Sequence, residues 1–397
     1  MTAHTSASPV PPAATPGTTP AATAGEPPAT ARIAALDVLR GIAILGTLAS
    51  NIWLFAAPGG PAALLTTGLG GDDPVELALR TLSNGKFLGL LTLLFGVGLE
   101  LQYRSAVRSG TRWPGRYLVR AAILFVEGLL HYVLVFEFDV LMGYAVASVV
   151  GAWLIGRSDR VVRVWTGVVA GGFVLALAGV TALLVLGGAT ADVPGTGVAS
   201  TASWPDQVLT RLTAAGLYRA ELVLIVPSAV VLFVVGSRLV RAGLFTTTPE
   251  AARLRRRLAG VGLGVGVPLN ALTAWAGPDW FLVDRYLVPP LVSLGILALG
   301  TGLVARARDA RPGVLRRGVE AVGRTALSCY VLQNVLASVL CFDWGFGLAG
   351  EGALRAVLLW GAVSAVLLVL APLWLRRWPR GPIELVMHRV HARRPAA

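Results

Sequence analysis

Lysine is nearly missing from this chain: of its 34 basic residues only Lys86 is not an arginine. Cysteine occurs twice in 397 residues, histidine four times, and only 14% of positions carry charge. Each scarcity excludes something. Cys329 and Cys341 fall in one apolar run, and twelve residues of helix separate them by roughly 18 Å, too far for a disulfide. They read as buried small residues, and no spacing supports a metal site. No Walker loop, Gly-x-Ser-x-Gly elbow or His-Glu-x-x-His motif occurs, and the glycines from Gly262 to Gly266 lie inside an apolar run, where they serve close packing and not a nucleotide. So little charge beside 55% hydrophobic residues and a mean hydropathy of +0.70 excludes an ordinary soluble domain.

What is present is a succession of long apolar runs. Residues 1–31, rich in Pro, Ala and Thr, have no basic region ahead of an apolar core, so they read as a disordered tail and not a signal peptide. A single all-α membrane bundle is expected over 32–380, followed by a basic tail over 381–397. About ten spans are expected, near 38–57, 86–103, 117–136, 139–156, 161–187, 217–240, 257–276, 281–305, 321–342 and 352–376. Arginine placement orients them. Arg104, Arg108, Arg112 and Arg116, then Arg157 and Arg160, then Arg253, Arg255 and Arg256, then Arg306, Arg308, Arg311, Arg316 and Arg317 fill every second connection. The alternate connections 58–85, 188–216, 277–280 and 343–351 hold few bases. By the positive-inside rule both termini are cytoplasmic in a plasma (bacterial inner) membrane. The same distribution accounts for the net charge of +13 without a nucleic-acid partner. The connections 58–85 and 188–216 are candidate outer lids.

Ionisable and amide groups inside apolar runs are expensive and mark places of interest. Asp37 and Arg40 share a helix face near one membrane surface. They form either a boundary ion pair or an anchor for an anionic ligand. Asn51 lies fourteen residues beyond Asp37, about 21 Å along a helix. It suits either an interhelical hydrogen bond or an oxyanion-type donor. In LFVEGLLHYVLVFEFDVL, Glu127 and His131 are four apart and Asp139 follows eight later. A carboxylate beside an imidazole is the minimal general-base arrangement, and equally a polar staple between two helices. Gln333 and Asn334 are adjacent amides in mid-run. Lys86, Asp284, Arg285, Tyr218, Arg219 and Glu221 read as interfacial or snorkelling groups.

Three blocks carry a family resemblance: RIAALDVLRGIAILGTLASNIWLFAAP from Arg32; GKFLGLLTLLFGVGLELQ with EGLLHYVLVFEFDVLMGYA; and GRTALSCYVLQNVLASVLCFDWGFGL with APLWLRRWPRGPIELVMHRV. Together they resemble the YeiB-like bacterial membrane proteins, whose C-terminal region, here about 217–380, is a domain of unknown function. That family is distantly similar to transmembrane acyltransferases such as the lysosomal heparan-α-glucosaminide acetyltransferase and the OafA-like sugar O-acyltransferases. The resemblance implies transfer from cytoplasmic acetyl-CoA or another acyl-CoA to a sugar, lipid or small-molecule acceptor, with no metal. Asn51 matches the amide of the lysosomal enzyme's opening helix. That enzyme's working histidine has no counterpart in Ile52–Gly70, which leaves His131 as the base, oriented by Glu127 or Asp139. Arg40, Arg116, Arg120 and Arg324 are then candidates for the coenzyme phosphates, and Asp37, Gln333 and Asn334 for substrate contact. A proton-coupled transporter or flippase, with the same groups as a relay, and a non-enzymatic scaffold are the alternatives. Membrane lipids are implied partners, and a homodimer is compatible with all three.

Overall fold

A computed structural model describes residues 34–61, 73–187, 201–307 and 311–392. The N-terminal tail, residues 62–72 and 188–200 of the two expected lid connections, Arg308 and residues 393–397 lie outside them. Every regular element described is helical: α1 (Ala34–Ala56), α2 (Pro74–Ser83), α3 (Lys86–Arg108), α4 (Tyr117–Leu134), α5 (Leu141–Ile155), α6 (Asp159–Gly187), α7 (Trp204–Thr213), α8 (Ala215–Arg219), α9 (Leu222–Arg241), α10 (Pro249–Gly264), α11 (Gly266–Trp275), α12 (Phe281–Tyr286), α13 (Pro289–Arg306), α14 (Val314–Arg324), α15 (Ala326–Cys341), α16 (Ala353–Arg377) and α17 (Pro382–Ala392). Among the described residues, eight helical stretches are long and apolar enough to cross a membrane. Two shorter apolar helices, α5 and α15, fall on the fourth and ninth expected runs.

The surface explains the composition. Leu175, Leu183 and Leu186 on α6 and Leu354 on α16 are 72–85% exposed. In water so many bare leucines would drive aggregation; against acyl chains they cost nothing. This is a helical membrane protein. With no hydrophobic drive between helices in lipid, contact depends on close backbone approach. Gly41 of α1 and Gly323 of α14 supply it. A Cβ at Gly41 would lie 2.0 Å from the Val319 carbonyl oxygen, and one at Gly323 would lie 1.8 Å from that of Asp37. Gly323→Ala is therefore expected to cost about 1–3 kcal/mol through overpacking. Gly361→Ala, on an open face of α16 with nothing within 4 Å, serves as the silent control. Thermal retention of the monodisperse detergent peak measures both; equal behaviour of the two variants contradicts the packing argument.

Three expected spans are broken, each for a local reason. Run 257–276 parts at Val265, where Pro268 has no N–H for the Gly264 carbonyl. Run 281–305 parts before Pro289, which likewise withholds a donor from Arg285. Run 321–342 parts at Thr325, leaving α15 with an N-terminus of its own. Broken helices expose backbone groups and bring polar side chains to them, and buried polar groups gather at these breaks.

One such cluster corrects the reading of Lys86 as a snorkelling residue. Lys86 is buried, and its Nζ donates to the carbonyls of Thr81 and Asn84. Nearby, the Asp284 carboxylate accepts from Asn270 Nδ2 at 2.5 Å, Asn84 Nδ2 at 2.8 Å and Thr273 Oγ1 at 3.1 Å. The turn before α3 and the broken run near Pro289 supply enough fixed polar partners to hold these groups away from the surface.

Candidate functional site

The turn between α4 and α5 builds a buried polar constellation around His131. At the end of α4 the chain folds tightly, and the N–H groups of Val135 and Phe136 both reach the His131 carbonyl, at 2.9 and 3.0 Å. The fold-back carries Asp139 to the side of His131. Asp139 Oδ2 accepts from the backbone N–H of Leu141 at 2.8 Å and of Met142 at 3.4 Å, so it closes the first turn of α5. Its other oxygen, Oδ1, lies 2.8 Å from His131 Nδ1. The backbone thus holds the carboxylate, and the carboxylate holds the ring. With the Nδ1 proton directed at Asp139, the lone pair is on Nε2, which accepts from Asn334 Nδ2 of α15 at 3.2 Å. Tyr330, one turn before Asn334, donates to Asp139 Oδ1 at 3.4 Å and packs its ring 5.3 Å from the imidazole.

The row Asp139–His131–Asn334 is buried: the His131 and Asp139 side chains are 1% and 0% exposed. Two arginines clamp the loop behind it. Arg219 donates to the carbonyls of Asp139, at 2.9 Å, and Glu137. Arg211 pairs with Glu137 at 3.0 Å and donates to the carbonyls of Val133 and Val135. Arg219 is therefore part of the site's frame and not an interfacial anchor. Phe55, Phe136, Phe138 and Phe342 pack into one apolar cluster beside this loop.

Residues 239–394 match the family model described as "Protein of unknown function (DUF418)". The Escherichia coli (strain K12) "Uncharacterized protein YeiB" is 27% identical over 385 residues, covering 88% of this chain and 93% of that protein. The Bacillus subtilis (strain 168) "Uncharacterized protein YxaH" is 23% identical over 382 residues, covering 89% and 92%. The chain is thus similar to both uncharacterised proteins over nearly their whole length. The family match takes in Asn334, Gln333 and Arg324, and the near full-length similarity to the two relatives also spans the α4–α5 turn.

The other expected site residues do not join the row. Glu127, one turn before His131, does not bond to it. Both of its carboxylate oxygens are buried without a hydrogen-bond partner among the described residues, and the charged groups facing it are Glu384 and Asp139. Gln333 turns away from Asn334 toward α1, where its Nε2 donates to Thr47 Oγ1 at 3.4 Å. Asn51 is separate from the imidazole. It lines a water-sized cavity with Thr47, Ser50, Phe138, Val140, Arg285 and Tyr330, so Tyr330 stands between this cavity and Asp139. Asp37 and Arg40 pair at 3.6 Å. Arg40 Nη2 lies beside Gly98, and Arg120 donates to Gln102 at 3.5 Å, so these two guanidinium groups adjoin one face of α3 a turn apart. Arg116 and Arg324 are exposed, at the ends of α4 and α14.

Three further residues complete the site: Tyr330, Glu137 and Arg211. The first was detectable: Tyr330 and Asn334 are four apart on α15, the spacing that puts two side chains on one helix face. Arg211 lies in a polar amphipathic stretch where nothing in the local pattern marks it as interior. Among the described residues no group of His, Cys, Asp and Glu is arranged to hold a metal.

Proposed function

We propose that this protein transfers an acyl group from a coenzyme A thioester to a hydroxyl or amine acceptor within the membrane. The observation that carries the reading is the buried Asp139–His131–Asn334 row, which fixes the imidazole in the tautomer a general base needs. His131 Nε2 takes the acceptor proton as the acceptor oxygen or nitrogen attacks the thioester carbonyl. The carbon–sulfur bond breaks, and the proton passes to the leaving thiolate as CoA thiol. Two further features support it. Arg40 and Arg120, flanked by Arg116 and Arg324, offer forked donors to phosphates at the end of the bundle where the basic connections gather. The water-sized cavity of Asn51, Ser50 and Arg285 beside Tyr330 has room for no more than the acceptor's reacting hydroxyl or amine, and its polar lining suits that group. Because the row is sealed, displacement of Asn334 or Tyr330 accompanies substrate entry.

The test is direct. Purified protein in lipid nanodiscs, given radiolabelled acetyl-CoA and a cell-envelope extract, should release CoA thiol and label an extractable acceptor. Absence of both with acetyl, medium-chain and long-chain thioesters ends the proposal. One observation favours a second reading: the partnerless buried carboxylate of Glu127 beside a histidine is the makeup of a proton relay. Proton-coupled uptake into vesicles, without thioester turnover, selects it.

A further inference from the structure

The residue pattern predicts a bundle that closes at 380 and a basic tail over 381–397. Residues 382–392 instead form α17, which packs on α15 and α4, the two helices that carry the site. The contact centres on one side chain. The break at Thr325 leaves the first N–H groups of α15 without helical acceptors, and Thr325 supplies no side-chain cap. Glu384 fills that role from a distant part of the chain. Its Oε1 accepts from the backbone N–H of Leu327 at 2.9 Å and of Ser328 at 3.3 Å, and its Oε2 accepts from the Ser328 hydroxyl. Ser328 Oγ in turn accepts from the Ile383 N–H at 3.0 Å. The negative charge also sits at the positive end of the α15 dipole. The approach is close: a Cβ at Gly381 would lie 2.7 Å from Ser328 Oγ and 3.0 Å from Thr325 Cβ.

We infer that Glu384 is a positioning residue for the reaction: by capping the free N-terminus of α15 it sets the height and rotation at which Tyr330 and Asn334 meet Asp139 and His131. The inference rests on the acyl-transfer reading for its catalytic consequence, but its structural half stands apart. The first turn of α15 holds Ser328, the second begins with Tyr330, and Asn334 follows four residues on. A rigid helix passes any slip at its capped end straight to those side chains. One carboxylate from the C-terminal helix thereby controls the 3.2 Å contact between Asn334 and Nε2, the ring nitrogen that the acceptor has to reach.

The chain carries its own reporters. Cys329 is buried at the capped end of α15, with its Sγ 3.2 Å from Thr325 Oγ1, and Cys341 is buried at the far end. In Glu384→Ala, maleimide labelling of Cys329 is expected to rise at least tenfold over wild type while Cys341 stays protected. Single-cysteine backgrounds (C341A and C329A) separate the two. In protein that turns over acyl-CoA, kcat should fall about tenfold or more with KM for the thioester changed less than about threefold. Glu384→Gln, which keeps an oxygen for the Leu327 N–H, should recover most of the loss. Ser328→Ala, which keeps both backbone bonds, serves if Glu384→Ala does not fold and should give an intermediate effect. Unchanged protection of Cys329 in both variants overturns the inference, whatever the activity. So does freed Cys329 with wild-type kcat. Wild-type protein that transfers no acyl group sinks the catalytic reading alone, because the labelling result still decides whether Glu384 holds the helix.

Discussion

His131→Ala is expected to lower acyl transfer by about 10²–10⁴-fold while leaving membrane insertion and oligomeric profile unchanged. In barrier terms this is about 3–5 kcal/mol, at 1.36 kcal/mol for each factor of ten. The fold survives because the backbone at this turn does not depend on the ring: the Val135 and Phe136 N–H groups bond to the His131 carbonyl, which alanine retains. The companion Asp139→Asn separates chemistry from architecture more finely. An asparagine oxygen still accepts from the Leu141 N–H and closes α5, but no negative charge faces Nδ1. The imidazole loses the partner that fixes its tautomer and that stabilises its protonated form in the transition state. The two variants should fall by amounts within about tenfold of each other, and the double variant should lose little more, since residues acting as one unit do not add. Wild-type turnover in His131→Ala, measured as CoA thiol release from protein of normal monodispersity, removes His131 from the mechanism. Additive losses in the double variant separate Asp139 from it.

The apolar runs and their arginine-rich connections were legible because both are local properties. Hydrophobicity over twenty residues reports on a span by itself, and the i, i+3 spacing of Asp37 and Arg40 places both on one face, where they pair. The partners of the imidazole were less legible. Helical spacing singles out Glu127 beside His131. Asp139 reaches the ring only because the chain folds back after Leu134, and an irregular turn leaves no periodic trace. Asn334 comes from a helix two hundred residues away, and which helices neighbour each other in a bundle is a tertiary property. The helix breaks lay between these extremes. Pro268 and Pro289 announce two of them, while the third, at Thr325, has no proline, and the free end it creates is capped by Glu384.

Arg211→Met is expected to destabilise the protein by about 3–5 kcal/mol, a large share of the 5–15 kcal/mol that holds a typical domain together. The guanidinium is 1% exposed. It donates to Glu137 Oε1 at 3.0 Å, to the carbonyls of Val133 and Val135 at 3.2 and 3.1 Å, and to Gln207 at 3.5 Å. Methionine fills much of the volume, so the loss is electrostatic: a carboxylate 1% exposed is left without its cation and two carbonyls without donors. Because most of the penalty is the stranded Glu137 charge, Glu137→Gln in the Arg211→Met background should recover at least half of it. The same loop carries Asp139, so the single variant should also lose transfer activity at temperatures where it remains folded. Thermal unfolding in a fixed detergent, run as a double-mutant cycle, reads the coupling. A single-variant cost below about 1 kcal/mol, the range of exposed ion pairs, would mean that the guanidinium does not hold the loop on which the imidazole's partner stands.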